Sequence, residues 1–379
     1  MLCYKKISEL LETKMKFKIS KEDFLEGLQQ VQHVVSNRTT LPILSNVLLE
    51  ADGDSLKLTT TDLDVGVSGS VKASVSKSGS TTLPARRLAG IVRELPSDEV
   101  SVDVTAKDVA SIKSGPSFFK ILGLSKEEFP PLATFEDASE YKIDQKVLKE
   151  ALKMTSYAIS TDETRYVLNG ILCSFKGGSL TLVATDGRRL AMVQHDVEFP
   201  KSLETEVIVP TKAVSELQRL LSDEGEVKIF ISDSQISFEL NDNILVSKLI
   251  EGNYPNYNQV IPEETKERIP LDRDSFLSTV NRVSLLANEK SNSVKCVFKK
   301  DQIDVTANSQ DVGEANETIA VSYKGPEFSI AFNPEFLMAP LRNLDADEIY
   351  LELIDEMSPG VIRTTGSFLY VLMPMRVSQ

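Results

Sequence analysis

Self-similarity constrains this chain more than any single motif, because a sequence that repeats three times builds three copies of one unit instead of one large core. Each copy opens with a short strand and an amphipathic helix: KFKISKEDFLEGLQQVQHVVSN from Lys16, YKIDQKVLKEALKMTSYAIST from Tyr141 and IPLDRDSFLSTVNRVSLLAN from Ile269. Apolar side chains recur at helical spacing, at Phe24, Leu28 and Val31, at Val147, Ala151 and Met154, and at Phe276, Val280 and Val283. Each helix is therefore expected to bury one stripe. Two strands joined by a turn follow, ending in LKLTTTD (Leu56 to Asp62), LTLVATD (Leu180 to Asp186) and IDVTANS (Ile303 to Ser309); these ends lie 124 and then 123 residues apart. Their alternation suits a half-buried sheet.

A second helix follows in each copy, within TLPARRLAGIVREL, IVPTKAVSELQRLL and AFNPEFLMAPLRNL. Pro84, Pro210 and Pro334 suit its first turn, where a missing amide donor costs nothing. Pro340 is expected to kink or shorten the third version. A closing strand pair completes each copy. The expected fold is α+β, three repeated domains of two helices packed on antiparallel sheets, spanning 15–138, 139–266 and 267–379, with 1–14 as an amino-terminal extension. Pro130, Pro131 and the acidic run from Glu136 to Glu140 suit one linker, and Pro262 to Arg268 the other.

Composition narrows the function. With 41% hydrophobic and 26% charged residues the chain reads as a soluble globular protein, and no apolar stretch approaches the ~20 residues of a membrane helix. Residues 1–14 lack a sustained apolar core and a small-residue cleavage site, so a cytoplasmic location is expected. Cys3, Cys173 and Cys296 are an odd number without close spacing, which argues against a disulfide framework and a zinc site; Cys173 and Cys296 are expected to be buried thiols. Two histidines, no tryptophan, and no phosphate-cradling loop, nucleophile elbow or paired-histidine motif leave little for catalysis, metal or cofactor. The aspartates of TDLD (Thr61 to Asp64) and ATDGRR (Ala184 to Arg189) suit turns better than metal ligation.

The net charge of -14 opposes nucleic acid, whose affinity for proteins rests on cations meeting phosphates. Its distribution is uneven. The six expected helices (20–36, 84–95, 144–158, 211–221, 272–287 and 334–344) hold twelve Lys or Arg against ten Asp or Glu, leaving 30 basic and 46 acidic residues elsewhere. Helices lining a hole would thus face DNA with a weakly positive wall inside a repelling body. Helices pack ~8–10 Å apart, so six around a circle span only ~15–19 Å, whereas twelve span ~31–38 Å between axes. Subtracting a helix diameter of ~10 Å leaves room for a duplex only in the second case, so a DNA ring requires two chains.

From Met15 to Val377 the sequence closely resembles the bacterial beta sliding clamp, the beta subunit of DNA polymerase III. The segments carrying the resemblance are RTTLPIL (Arg38 to Leu44), LTTTDLD (Leu58 to Asp64), TLPARRL (Thr82 to Leu88), RYVLNGIL (Arg165 to Leu172), VATDGRRLA (Val183 to Ala191), LIEGNYPNY (Leu249 to Tyr257), LANEK (Leu286 to Lys290) and VLMPMRV (Val371 to Val377). Family members begin near MKFKIS, which makes Met15 the expected start. The resemblance implies a non-catalytic ring, a head-to-tail homodimer around double-stranded DNA, that tethers the replicative polymerase alpha subunit, the clamp loader, other polymerases and repair proteins. It implies a peptide pocket at Leu168, Thr185, Gly187, Arg188, Arg189, Leu190, Pro255, Val260, Val371, Met373, Pro374, Met375 and Arg376. Flexible Met side chains accommodate varied ligands. DNA contacts carried over are Arg38, Arg165, Tyr166 and Lys212, and the dimer seam sets Phe119 and Ile121 against Leu285 and Leu286. The family commonly has His where Arg188 stands and Arg where Gln259 stands, which bears on ligand preference. Pro116 and Phe118 replace basic residues found in some relatives and make the seam more apolar. Two readings compete: a non-replicative paralogue with the same ring fold, and a metal-dependent nuclease using Asp62, Asp64 and Asp186.

Overall fold

A computed structural model describes residues 12–35, 40–135, 138–287, 292–309 and 313–376. Six α-helices occur among them, each where the repeat places one: α1 (Lys21–Val31), α2 (Ala85–Glu94), α3 (Gln145–Thr155), α4 (Thr211–Leu220), α5 (Arg273–Ser284) and α6 (Pro334–Asn343). The chain forms two compact units, Met1–Lys146 with Ser215–Leu249, and Val147–Val214 with Ile250–Gln379.

The first unit holds a five-stranded sheet, in the order Ser74–Lys77, Thr13–Ser20, Glu99–Thr105, Val109–Ser114, Ser117–Leu122. It also holds an eight-stranded sheet, Ser139–Asp144, Glu226–Ile231, Gln235–Leu240, Asn243–Lys248, Val65–Lys72, Ser55–Thr61, Asn46–Asp52, Gly79–Pro84. The second unit has its own eight strands, Thr205–Pro210, Gly170–Lys176, Ser179–Thr185, Arg189–Asp196, Leu369–Leu372, Gly360–Arg363, Glu348–Leu353, Glu267–Asp272. Four more complete it: Gly313–Ala320, Gln302–Ser309, Val294–Lys299, Phe328–Phe332. Each sheet of eight joins four strands of one repeat to four of the next, through Asn243–Lys248 against Val65–Lys72 and through Leu369–Leu372 against Arg189–Asp196. The middle third is thus shared between the units. The hairpin Gly170–Lys176/Ser179–Thr185 turns through Gly177 and Gly178 at φ of 61° and 74°, a conformation that matches strand twist and that side chains resist.

Ser20 caps α1 by accepting the Asp23 amide at 3.0 Å, and Phe24, Leu28 and Val31 are wholly buried beneath it. The α5 stripe of Phe276, Val280 and Val283 is buried as expected. In α3 the stripe departs from expectation: Leu148, Ala151, Leu152 and Thr155 point inward, while Val147 and Met154 are half-buried. Leu148, Ala151, Leu152 and Thr155 are themselves at i, i+3, i+4 and i+7, and Gln145, fully buried at the helix start, accepts the Ser222 amide at 3.0 Å and donates to the Glu226 carbonyl at 3.2 Å. The buried face is thus offset from the expected stripe by about one residue, ~100°.

Pro84 and Pro210 lie just before their helices, and Pro334 opens α6 behind an Asn333 cap. Pro340 does not shorten α6, which runs ten residues like α2 and α4. Its ring removes the donor that Phe336 O would receive, and the Tyr370 hydroxyl donates to that carbonyl instead, at 2.7 Å. Thr13 and Lys14, assigned by resemblance to the extension, belong to the first strand, and Lys14 pairs with Asp108 at 2.9 Å. Cys173 and Cys296 are buried free thiols, each pushed up to about 12 by burial; Cys3 lies outside the described residues. Among those residues no helix is long and apolar enough to cross a membrane.

Candidate functional site

A tight turn prepares the site in the second unit. Thr185 Oγ1 donates to the Arg189 carbonyl at 2.6 Å and accepts the Gly187 amide at 3.0 Å, while Asp186 Oδ1 accepts the amides of Arg188 and Arg189 at 2.9 and 3.1 Å. Gly187 takes φ of 82° here, open to glycine at no steric cost. Asp186 is therefore a turn former, as is Asp62, which accepts the Asp64 and Val65 amides at 3.0 and 2.8 Å. This bonding gives Asp62 and Asp186 the turn role that their sequence context suggests, and among the described residues no cluster of three or more His, Cys, Asp or Glu that could hold a metal ion occurs.

Beyond the turn, register brings distant residues together. Leu190 lies opposite Thr185 on one side and Val371 on the other, and the Met373 amide extends the ladder to Arg188 O at 3.0 Å. Leu172, Val183, Leu190, Ile208, Val361, Leu369 and Val371 form one buried apolar cluster, against which Val167, Met192, Ile250, Tyr254, Tyr257 and Ile261 pack half-buried. A cavity of about 380 Å³ adjoins it, lined by Leu172, Ile208, Glu206 and the loop that carries Pro255. Burial works to raise the Glu206 carboxyl, but hydrogen bonds from Lys176 and Ser174 hold it below its usual range. Burial raises the Tyr254 phenol, which donates to Val183 O at 3.4 Å and stays neutral.

Arg189 is held by its neighbours within the unit. Its Nε donates to Asp186 Oδ2 at 3.0 Å, its Nη2 to Tyr157 O at 2.7 Å, and its guanidinium lies 4.4 Å from the Phe336 ring centroid. It thereby ties the turn to α6. Leu168 is buried, Val260 and Met373 are exposed, Arg188 is exposed, and Pro374 is half-buried. Met375 and Arg376 line a different cavity, of about 630 Å³, with Lys295, Ile330, Ala331 and Met357. The sequence reading missed Tyr157, Phe336 and Tyr370; Pro340 was the available signal, since it announces an orphaned carbonyl four residues earlier.

Residues 15–133, 142–256 and 258–376 match, in order, the N-terminal, central and C-terminal domains of the DNA polymerase III beta subunit. The chain belongs to the beta sliding clamp family. A beta sliding clamp of Chlamydia muridarum is 37% identical over 363 residues, covering 96% of this chain and 99% of that protein. The crystal structure of the Bacillus subtilis sliding clamp aligns with a TM-score of 0.92 at 31% identity, over 96% of this chain and all of that one. A Bartonella birtlesii clamp solved with griselimycin bound aligns at 0.91 and 37% identity, over 96% and 100% of the two chains. The protein is thus a DNA sliding clamp, a processivity factor and not an enzyme.

Of this clamp's expected DNA contacts, Tyr166 and Lys212 line one depression of about 450 Å³ with Asn169 and Thr211. Arg165 is exposed beside Tyr166, donating to Asp162 Oδ2 at 3.0 Å and to Asp186 O at 2.7 Å. Arg38 lies outside the described residues. At the expected seam, Ser117–Leu122 is an edge strand that exposes Phe118 by 57% and Leu122 by 73%, with Phe119 at 37%. Ile121 is buried in its own sheet, so it supports the edge from within and does not face outward. After α5, Leu285 is 77% exposed and Leu286 half-buried.

Proposed function

We propose that the groove of the second unit is where this clamp receives short apolar peptide motifs from its polymerase, clamp loader and repair partners. The observation that carries the reading is the register that sets Thr185, Leu190 and Val371 side by side beneath Tyr254 and Tyr257. An apolar floor with few polar groups is the make-up of a ligand site. Arg189 holds the turn in place, while Pro255, Val260 and Met373 offer movable walls. Burial of peptide side chains contributes ~25 cal/mol per Å², and ordering costs bring the net affinity down, so partners exchange.

The ring that this function needs closes by pairing two chains head to tail, the edge at Phe118, Phe119 and Leu122 meeting Leu285 and Leu286 of a second copy. Arg38, Arg165, Tyr166 and Lys212 meet phosphates of the encircled duplex in the cytoplasm, and the repeats at 15–138, 139–266 and 267–379 act as the three domains. Calorimetric titration with a motif peptide from the partner polymerase tests the groove. The full chain binds; a chain lacking Met373 to Gln379 does not, yet remains a dimer. Full affinity in the truncated chain overturns the assignment.

A further inference from the structure

The turn that opens the groove recurs in the first unit, bond for bond. Thr61 Oγ1 donates to Val65 O at 3.0 Å and accepts the Leu63 amide at 3.1 Å, while Asp62 takes two amides as Asp186 does. Leu63 even adopts φ of 80°, where Gly187 has 82°. A side chain held in that region is strained and persists only where its surroundings enforce it.

The strand join recurs as well. Val246 lies opposite Gly66 as Val371 lies opposite Leu190, and the Lys248 amide reaches Asp64 O at 2.8 Å as the Met373 amide reaches Arg188 O at 3.0 Å. Phe129–Pro130–Pro131–Leu132 stands where Tyr254–Pro255–Asn256–Tyr257 stands in the other unit. Where the groove would fall, the first unit has a cleft of about 420 Å³ walled by that segment.

Its chemistry differs in a defined way. The floor of the groove is a cross-strand row of Leu172, Val183, Met192 and Leu369. The row in the cleft is Leu48, Thr59, Ser68 and Ile244. Two apolar residues have become hydroxyls, and these two share one hydrogen bond of 3.1 Å. Two hydroxyls bring two hydrogens, so one remains to donate. At the rim, Lys57 adds a positive charge, while Lys126 and Glu50 neutralise each other at 3.3 Å. Gly66 replaces Leu190, and Leu132 fills its space: a Cβ there would lie 2.3 Å from Leu132 Cδ2.

We propose that this cleft is a second peptide site, for a partner segment with an acidic side chain between apolar ones. The carboxylate accepts from the Thr59 and Ser68 pair under Lys57, and the apolar neighbours rest on Leu48 and Ile244. Only the peptide nature of the occupant rests on the reading of the second-unit groove. The test is photocrosslinking of the intact protein with acetyl-Leu-Asp-(benzoylphenylalanine)-amide, mapped by mass spectrometry, with a Lys-for-Asp peptide as control. Crosslinks are expected on fragments carrying Leu48 or Phe129, absent with the control and about fivefold weaker in Lys57→Glu, the effect of ~1 kcal/mol at an exposed charge. No crosslink in the first unit, or crosslinks indifferent to the peptide's charge and to Lys57→Glu, overturns the inference. Crosslinks to the second-unit groove are scored separately, so failure of one site leaves the other standing.

Discussion

Tyr370→Phe is expected to loosen the strand that floors the proposed peptide groove, by an amount that depends on a proline in α6. Tyr370 is fully buried and points away from the groove between Leu369 and Val371, where its hydroxyl donates to Phe336 O at 2.7 Å. Because residue 340 is proline, no helix amide can replace that donor. Leaving a buried carbonyl unsatisfied costs about 1–3 kcal/mol, and ~2 kcal/mol corresponds to roughly 30-fold faster amide exchange in a locally opening strand. In a Pro340→Ala background the helix supplies its own donor, so the same substitution removes only a net hydrogen bond of ~1 kcal/mol, roughly fivefold. Hydrogen exchange measured on the fragment spanning Leu369–Leu372 in the four proteins of this cycle gives the coupling directly. Equal acceleration by Tyr370→Phe in both backgrounds would refute the account of how α6 tolerates its proline.

Three further outcomes follow from particular residues. Replacing Leu285 and Leu286 by Ala should leave the clamp monomeric at micromolar concentration in sedimentation, since buried leucines contribute ~2–5 kcal/mol each in a well-packed contact; an unchanged dimer removes them from the seam. Tyr157→Phe should leave stability unchanged or raise it by up to ~1 kcal/mol, because the Tyr157 hydroxyl is buried without a partner among the described residues; destabilisation in urea melts would contradict this. Lys212→Glu should shorten retention on DNA equally for unrelated sequences and by less as salt rises, as expected of a residue proposed to meet phosphates and not base edges. A sequence-dependent effect would contradict sliding.

Much of the fold is legible because the repeat states each local choice three times: stripes, turn ends and helix-opening prolines agree across copies. The buried face of α3 was ambiguous because Val147, Leu148, Ala151, Leu152 and Met154 offer two overlapping stripes one residue apart, and the burial of Gln145 has no periodic signature. The strand joins were hidden because Val246 meets Gly66, and Val371 meets Leu190, across long stretches of chain. Strand alternation did carry a warning about the seam, since it sets Phe119 and Ile121 on one face and Phe118 and Leu122 on the other. Arg189 entered as a pocket residue by resemblance alone; its bonds to Asp186 and Tyr157 had no sequence signature because they form only once the turn is closed.

The central claim is topological, and DNA topology tests it. Clamp placed by its loader on nicked circular plasmid should stay with the DNA through gel filtration at a salt concentration that abolishes ordinary phosphate binding. Cutting the same plasmid once should release it, because a ring held by linkage slides off a free end. Equal retention on circular and linear DNA, or loss from both at high salt, would contradict the ring.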